Sequence, residues 1–202
     1  MNSRNQILST IRQQAIPDTA LPDLSTESFQ TFPDPVAQFQ LMVTQVGGTS
    51  HEIESLSQMA DYLDMQTALD SQRVVSLVDG FPGNLSLDEI DQPAELNQLE
   101  LAVLPGRFGV AENGAVWISD QGVSQRAVWF LAEHLVLVVP RSKILQNMHA
   151  AYHFLDSDRS GFGDRQFGCF ISGPSKTADI EQSLVIGAQG PTQHTVFVWS
   201  GE

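Results

Sequence analysis

LAVLPGRFGVAENGAVWISDQGVSQRAVWFLAEHLVLVVP, residues 101–140, holds four strand-like runs, "LAVLPG", "GAVWISD", "RAVWFLA" and "HLVLVVP", joined by turns with no long helix between them. On either side the rhythm is different. Upstream, "PVAQFQLMVTQVGG" places Val36, Phe39, Val43 and Val46 at helical spacing and stops at two glycines. "TSHEIE" follows as a short strand, "SLSQMADYLDMQTAL" as a second helix, and "RVVSLVD" as a buried strand. Downstream, "RSKILQNMHAAYHFL" reads as a helix with Ile144, Met148 and Ala151 or Tyr152 inward, and "DSDRSGFGDRQ" as a loop. Strand "FGCFIS", helix "TADIEQSLVIG" and strand "HTVFVW" close the chain. Helices alternating with buried strands at both ends, around a run of strands, predict an α/β three-layer sandwich with a mixed sheet. In such sheets ligands bind outside the carboxyl ends of the strands.

The first 34 residues stand apart. Ile7 to Gln14 suits a short helix, and "AIPDTALPDLSTESFQTFPDP" is rich in proline and hydroxyls with little periodicity, so residues 1–34 read as an arm ahead of a domain spanning 35–202. Segments of this kind often wrap their own domain or a neighbouring subunit. The composition, 42% hydrophobic and 17% charged, is that of a globular protein. Its 24 acidic and 10 basic residues give a formal charge of −14, a field that repels nucleic acid and anionic membranes. The opening residues have no signal-peptide core, and no apolar run reaches the about 20 residues of a bilayer span. The expectation is a soluble cytoplasmic protein. A single cysteine, Cys169, excludes an internal disulfide and a cysteine-held iron–sulfur cluster.

The most chemically suggestive stretch is "ISGPSKTADIE", residues 171–181. Gly173 permits a close approach or a positive φ, and Pro174 stiffens the turn. Ser175 or Thr177 would cap a helix opening with Asp179 and Glu181. Free N–H groups at that helix start, together with Lys176, would hold a small carboxylate or phosphate. A self-capped helix with Lys176 in solvent explains the same residues without a ligand. Asn113-Gly114 is a hairpin signal. Glu112, just before it, is either a base or nucleophile facing a cleft or a carboxylate at the sheet rim. His134 begins a buried strand, where it either orients a ligand or satisfies a strand end. The five histidines form no metal pattern: His149 and His153 share a helix face but lack the paired glutamate of a zinc helix. Asp88, Glu89, Asp91 and Glu95 lack calcium-loop order. No cofactor is called for by any motif.

Three stretches, "ISGPSKTADIEQSLVIGAQGP", "FGVAENGAVWIS" and "EHLVLVVPRSKIL", together resemble the LUD domain of the lactate-utilization protein C family over roughly Pro35 to Trp199. The resemblance implies a fold like that of the ribose-phosphate isomerase and CoA-transferase superfamily. It implies a role in oxidising L-lactate to pyruvate alongside iron–sulfur partner proteins, and it places Gly190 with the ligand loop. Two departures stand out. Gln189-Gly190-Pro191 replaces the family's His-Gly-Pro, and Glu112-Asn113-Gly114-Ala115 replaces Glu-Thr-Gly-Thr. Two functions follow: a ligand-binding or catalytic subunit acting through residues 172–179, or a non-catalytic assembly subunit of an iron–sulfur lactate-oxidising complex.

Overall fold

A computed structural model describes residues 3–14, 20, 29–157, 167–179 and 182–201. Helix α1 (Ser3–Gln13) buries no residue. Helix α2 (Pro35–Gln45) starts where the Asp34 carboxylate accepts from the N–H groups of Val36 and Ala37, at 3.1 and 3.0 Å. It ends at Gly47, whose φ of 86° lets the Gly47 and Gly48 N–H groups donate back to the carbonyls of Thr44 and Val43. Between α1 and α2 the chain is already tied to the body. The Phe32 N–H donates to Gln146 Oε1 (2.6 Å), Asn147 Nδ2 donates to the Gln30 carbonyl (2.7 Å), and the Phe29 ring stacks on His149 at 3.5 Å.

The chain then runs through β1 (Thr49–Ile53), α3 (Leu56–Tyr62), α4 (Met65–Ser71), β2 (Val74–Ser76), β3 (Leu101–Pro105), β4 (Phe108–Val110), β5 (Ala115–Ser119) and α5 (Val128–Leu131). It continues with β6 (His134–Pro140), β7 (Ile144–Leu145), α6 (Met148–Ser157), β8 (Gly168–Ile171), β9 (Lys176–Thr177), β10 (Val185–Ile186) and β11 (Gln193–Trp199). The α/β sandwich is the expected one, but its pairings divide by type. β1-β11-β6-β3-β2 form a wholly parallel five-stranded sheet, and β7-β4-β5-β8 form a second sheet, antiparallel except where β7 joins β4.

Strand β6 shows why the first sheet is buried on both faces. Leu135, Leu137 and Val139 enter a core shared with α2, α5 and the second sheet, while Val136 and Val138 enter one with α3 and α4. A third core, around Phe108, Val110 and Ala151, lies between the second sheet and α6. Helices α3 and α4 therefore cover one face of the parallel sheet, α2, α5 and the second sheet cover the other, and α6 packs on the second sheet.

Four elements differ from the sequence reading. "RAVWFLA" forms the one-turn helix α5 rather than a strand: Val128, Trp129 and Ala132 are buried while Phe130 and Leu131 are exposed, which is helical and not alternating spacing. The helix after β1 breaks in two at Asp64, which has φ 48°. In "RSKILQNMHAAYHFL" the first residues pair as β7, and α6 begins only after Asn147, whose Oδ1 accepts from the Ala150 N–H at 2.9 Å. Ala151, not Tyr152, faces inward. The "TADIEQSLVIG" segment is not helical among its described residues, with consequences for the site.

Candidate functional site

The helix predicted after Gly173-Pro174 is replaced by a two-residue pairing of β9 with β10. Gln182, with φ 56°, sits in a turn conformation that a helix cannot hold, and Val185 and Ile186 suit an extended backbone. The N–H groups expected to be free for an anion are largely taken. Ser175 N–H donates to the Pro191 carbonyl and Gly187 N–H to the Ser175 carbonyl, both at 2.9 Å. Ser175 and Thr177 cap nothing, and Asp179 is exposed with no helix start to answer; Ile180 and Glu181 lie outside the described residues. Lys176 donates instead to the carbonyl of Val46, at the end of α2, the helix terminus that favours a cation.

The loop nevertheless builds a cavity. Gly173, with φ 76°, approaches α2 so closely that a Cβ there would lie 2.4 Å from the Val46 carbonyl oxygen. Gly190 also comes near the loop, its Cβ position 3.0 Å from Ser175 Cβ. Between these strands of chain is a space of about 210 Å³, walled by Gly173, Pro174, Ser175 and Gln189 to Pro191 on one side and by Trp129, Leu135 and Phe170 on the other. Four residues singled out from the sequence, Gly173, Pro174, Ser175 and Gly190, thus meet in one place. The place is not the expected edge: Leu135 and Pro191 stand at the starts of β6 and β11, so the cavity opens at the amino edge of the parallel sheet. Its polar groups are the Ser175 hydroxyl and the Gln189 amide, and no charged residue is among the described residues lining it.

Glu112 and His134 are elsewhere. Glu112 Oε2 accepts from the Met148 N–H at 2.8 Å and so serves the first turn of α6, beside the Asn147 cap. Asn113 Oδ1 accepts from the Ala115 N–H at 3.0 Å, closing the hairpin turn around Gly114, whose φ is 67°. His134 precedes Leu135, so strand alternation turns it to the opposite face of the sheet from the cavity. There His134 Nε2 meets Thr195 Oγ1 at 2.9 Å, and Thr195 meets Thr49 Oγ1 at 2.8 Å. Burial pushes the His134 pKa down.

The residue that sequence reading missed is His194. It sits opposite Leu135 in the register of β11 and β6, on the face that carries Leu135 into the cavity wall. It is 3% exposed, and neither ring nitrogen has a protein partner. Burial, reinforced by His134, pushes its pKa down to about 4, so the ring is neutral at pH 7, with one donor and one acceptor unmet. A buried unsatisfied polar group costs about 1–3 kcal/mol, so the two ring nitrogens of His194 call for an explanation. Its only sequence signal is a histidine opening an apolar strand three residues after Gln189-Gly190-Pro191. Gly48 keeps the neighbouring backbone close, since a Cβ there would lie 3.0 Å from His194 Nδ1.

Phe130, which also lines the cavity, is 48% exposed, and Leu184, Val185 and Ile186 are exposed on and before β10. Cys169, on β8, is half-buried, and burial pushes its thiol up to about 11. Among the described residues no group of three or more His, Cys, Asp or Glu side chains is placed to hold a metal, and no helix is long and apolar enough to cross a membrane.

Known proteins share this architecture. A DUF162 family protein from Deinococcus radiodurans superposes with a TM-score of 0.58 at 17% identity, over 82% of this chain and 96% of that one, which shows the common fold. Lactate utilization protein C 1 of Bacillus mycoides is 37% identical over 101 residues, covering 49% of this chain and 43% of the relative. Lactate utilization protein C of Shouchella clausii is 34% identical over 117 residues, covering 55% and 50%. The chain therefore spans about half the length of the curated relatives it matches. The model of the LUD domain matches residues 36–198, nearly the whole of the folded body and both walls of the cavity, and the chain belongs to the LUD domain family.

Proposed function

We propose that this chain is a lactate-utilization protein C-like subunit that contributes to the oxidation of L-lactate to pyruvate by binding a small carboxylate in the amino-edge cavity. The observation that carries the reading is the meeting of Gly173, Pro174, Ser175 and Gly190, from two separate stretches, around one space of about 210 Å³; the buried, unsatisfied His194 shares the sheet face of Leu135, which lines it. A three-carbon hydroxy or keto acid fits such a space. Its methyl group would rest on Trp129 and Leu135, and its oxygens would meet the Ser175 hydroxyl, the Gln189 amide and the neutral imidazole. Lys176, one residue beyond the wall, supplies the nearest positive charge on this loop. The two electrons of lactate oxidation would leave to iron–sulfur partner proteins, as cysteine content denies this chain a cluster of its own.

A non-catalytic assembly subunit is the second reading. Exposed Leu184, Val185 and Ile186 on and before β10, with exposed Phe130, favour it, because exposed apolar side chains are a common docking feature. Trp129 fluorescence during titration of the full chain with L-lactate and pyruvate separates the two. Saturable quenching that weakens in Ser175→Ala and in His194→Leu supports the carboxylate site. No response to either acid, with these apolar residues required for association with an iron–sulfur protein, supports assembly alone.

A further inference from the structure

Helix α1 is amphipathic, yet it buries no residue. Ile7, Leu8 and Ile11 stand at i, i+1 and i+4, which gathers them in one stripe, and Ile7 and Ile11 are 57% and 60% exposed. A helix of 11 residues is marginal in water by itself and gains its stability from packing an apolar face. We propose that α1 is a docking arm, which seats its isoleucine stripe in the groove over α3 and α4 of a second copy of this chain.

The groove holds a space of about 490 Å³ between α3, α4 and the turn at Pro82. Met65, Leu69 and Pro82 give it apolar surface, and Asp61, Asp64 and Asp70 stand around them. All three acids are exposed, and none forms an ion pair or a side-chain hydrogen bond among the described residues. Helix α1 is opposite in sign: it holds two of the chain's 10 basic residues and none of its 24 acidic ones. Arg4 already engages another group of the chain, so the charge left for a partner is that of Arg12. Arg12 lies one turn after Leu8 and flanks the apolar stripe. Apolar stripe meets apolar floor while the guanidinium meets carboxylates, so arm and groove are complementary in both respects.

The body's own connections favour a second copy over the chain's own arm. The stretch that leads into α2 is tied on the α6 side: Phe29 stacks on His149, the Phe32 N–H donates to Gln146, and Asn147 donates to the Gln30 carbonyl. Helix α6 packs on the second sheet, whereas α3 and α4 cover the far face of the parallel sheet. From that anchorage α1 buries nothing on its own body. Two arms seated reciprocally give a closed two-fold dimer in which each groove receives the other copy's helix.

Sedimentation equilibrium of the full chain over a range of concentrations tests the arm. A reversible dimer is expected, and Ile7→Asp/Ile11→Asp should raise its dissociation constant about tenfold or more. Arg12→Glu alone and Asp61→Lys/Asp70→Lys alone should each weaken association about fivefold or more, through like charges brought together. All these positions are exposed, so the body stays folded, which circular dichroism checks. An equimolar mixture of the Arg12→Glu and Asp61→Lys/Asp70→Lys chains should restore association, because each arm then meets a groove of opposite charge. A monomer at every concentration overturns the proposal, as does undiminished association in Ile7→Asp/Ile11→Asp or a mixture that associates no better than its components. Monomers in which α1 amides are protected from exchange, with that protection lost in Asp61→Lys/Asp70→Lys, would assign the groove to the chain's own arm and overturn the second copy. Association that requires an iron–sulfur protein overturns it equally.

Discussion

Lys176 donates its ammonium hydrogen bond to the main-chain carbonyl of Val46, joining the loop after β8 to the carboxyl end of α2 across 130 positions of sequence. The lysine thus complements a helix C-terminus, whereas the sequence suggested that it reinforces a helix N-terminus for an anion. Lys176→Met should lower stability by about 0.3–1 kcal/mol, the size of an exposed charge–dipole interaction, and the loss should shrink in high salt. Urea unfolding at low and high ionic strength measures both. Carboxylate affinity in the amino-edge cavity should fall only slightly, and a complete loss in the folded variant would return Lys176 to the ligand.

Gly173 is more demanding. Its φ of 76° and the 2.4 Å separation between a built Cβ and the Val46 oxygen mean that Gly173→Ala must strain the backbone and push the loop from α2. A destabilisation of about 1–3 kcal/mol is expected, together with weakened Lys176 docking. Denaturant unfolding measures the loss. A variant as stable as the parent would show that the loop shifts at no cost.

Glu112 should behave as a helix-end acceptor. Glu112→Ala removes the partner of the Met148 N–H and should cost about 0.5–2 kcal/mol, with faster amide exchange in the first turn of α6. Glu112→Gln keeps an acceptor oxygen and should recover part of the loss. Lactate or pyruvate binding that vanishes in Glu112→Gln while the fold stays intact would show that the carboxylate meets the ligand.

The architecture was legible because the buried strands advertise themselves. Uninterrupted runs such as Leu135 to Val139 fit two cores at once, and the helical spacing of Val36, Phe39 and Val43 with the two glycines after Val46 marks α2 and its end. The misreadings share one cause, which is that short segments obey tertiary contacts over local pattern. Residues 176–186 carry a helix-like sequence, yet the carbonyls of Pro191 and Val46 claim Ser175 and Lys176 and pull the chain into β9. Trp129 looks like a strand residue until Ala132 is seen buried beside it. Part of the cavity wall was legible, since Gly173, Pro174, Ser175 and Gly190 stand together around one space, while His134 lies on the opposite face of the sheet. His194 carried no local signal. Its importance comes from register with Leu135 and from enclosure, which only the assembled sheet defines.

His194 also makes stability depend on pH in a defined direction. Its pKa falls from 6.5 to about 4 on folding, chiefly through burial and further through His134, so the unfolded chain binds the proton that the folded chain refuses. The stabilisation is complete above pH 6.5 and is lost as the pH falls towards about 4. The shift corresponds to about 3 kcal/mol in order of magnitude. The lowered pKa values of His134 and His51 act in the same sense. Unfolding free energies from urea titrations at several pH values should therefore rise with pH through this window. His194→Leu should flatten the rise and, by removing an unsatisfied buried ring, should cost little or even stabilise the chain at pH 5. The same variant should lose carboxylate affinity if the imidazole meets the ligand. In the parent, a bound carboxylate that partners the ring should raise the His194 pKa towards 6.5, visible in the pH dependence of its ring resonances. Ring resonances that titrate near 6.5 without ligand would show that water reaches His194 freely, and the buried-contact role would be withdrawn.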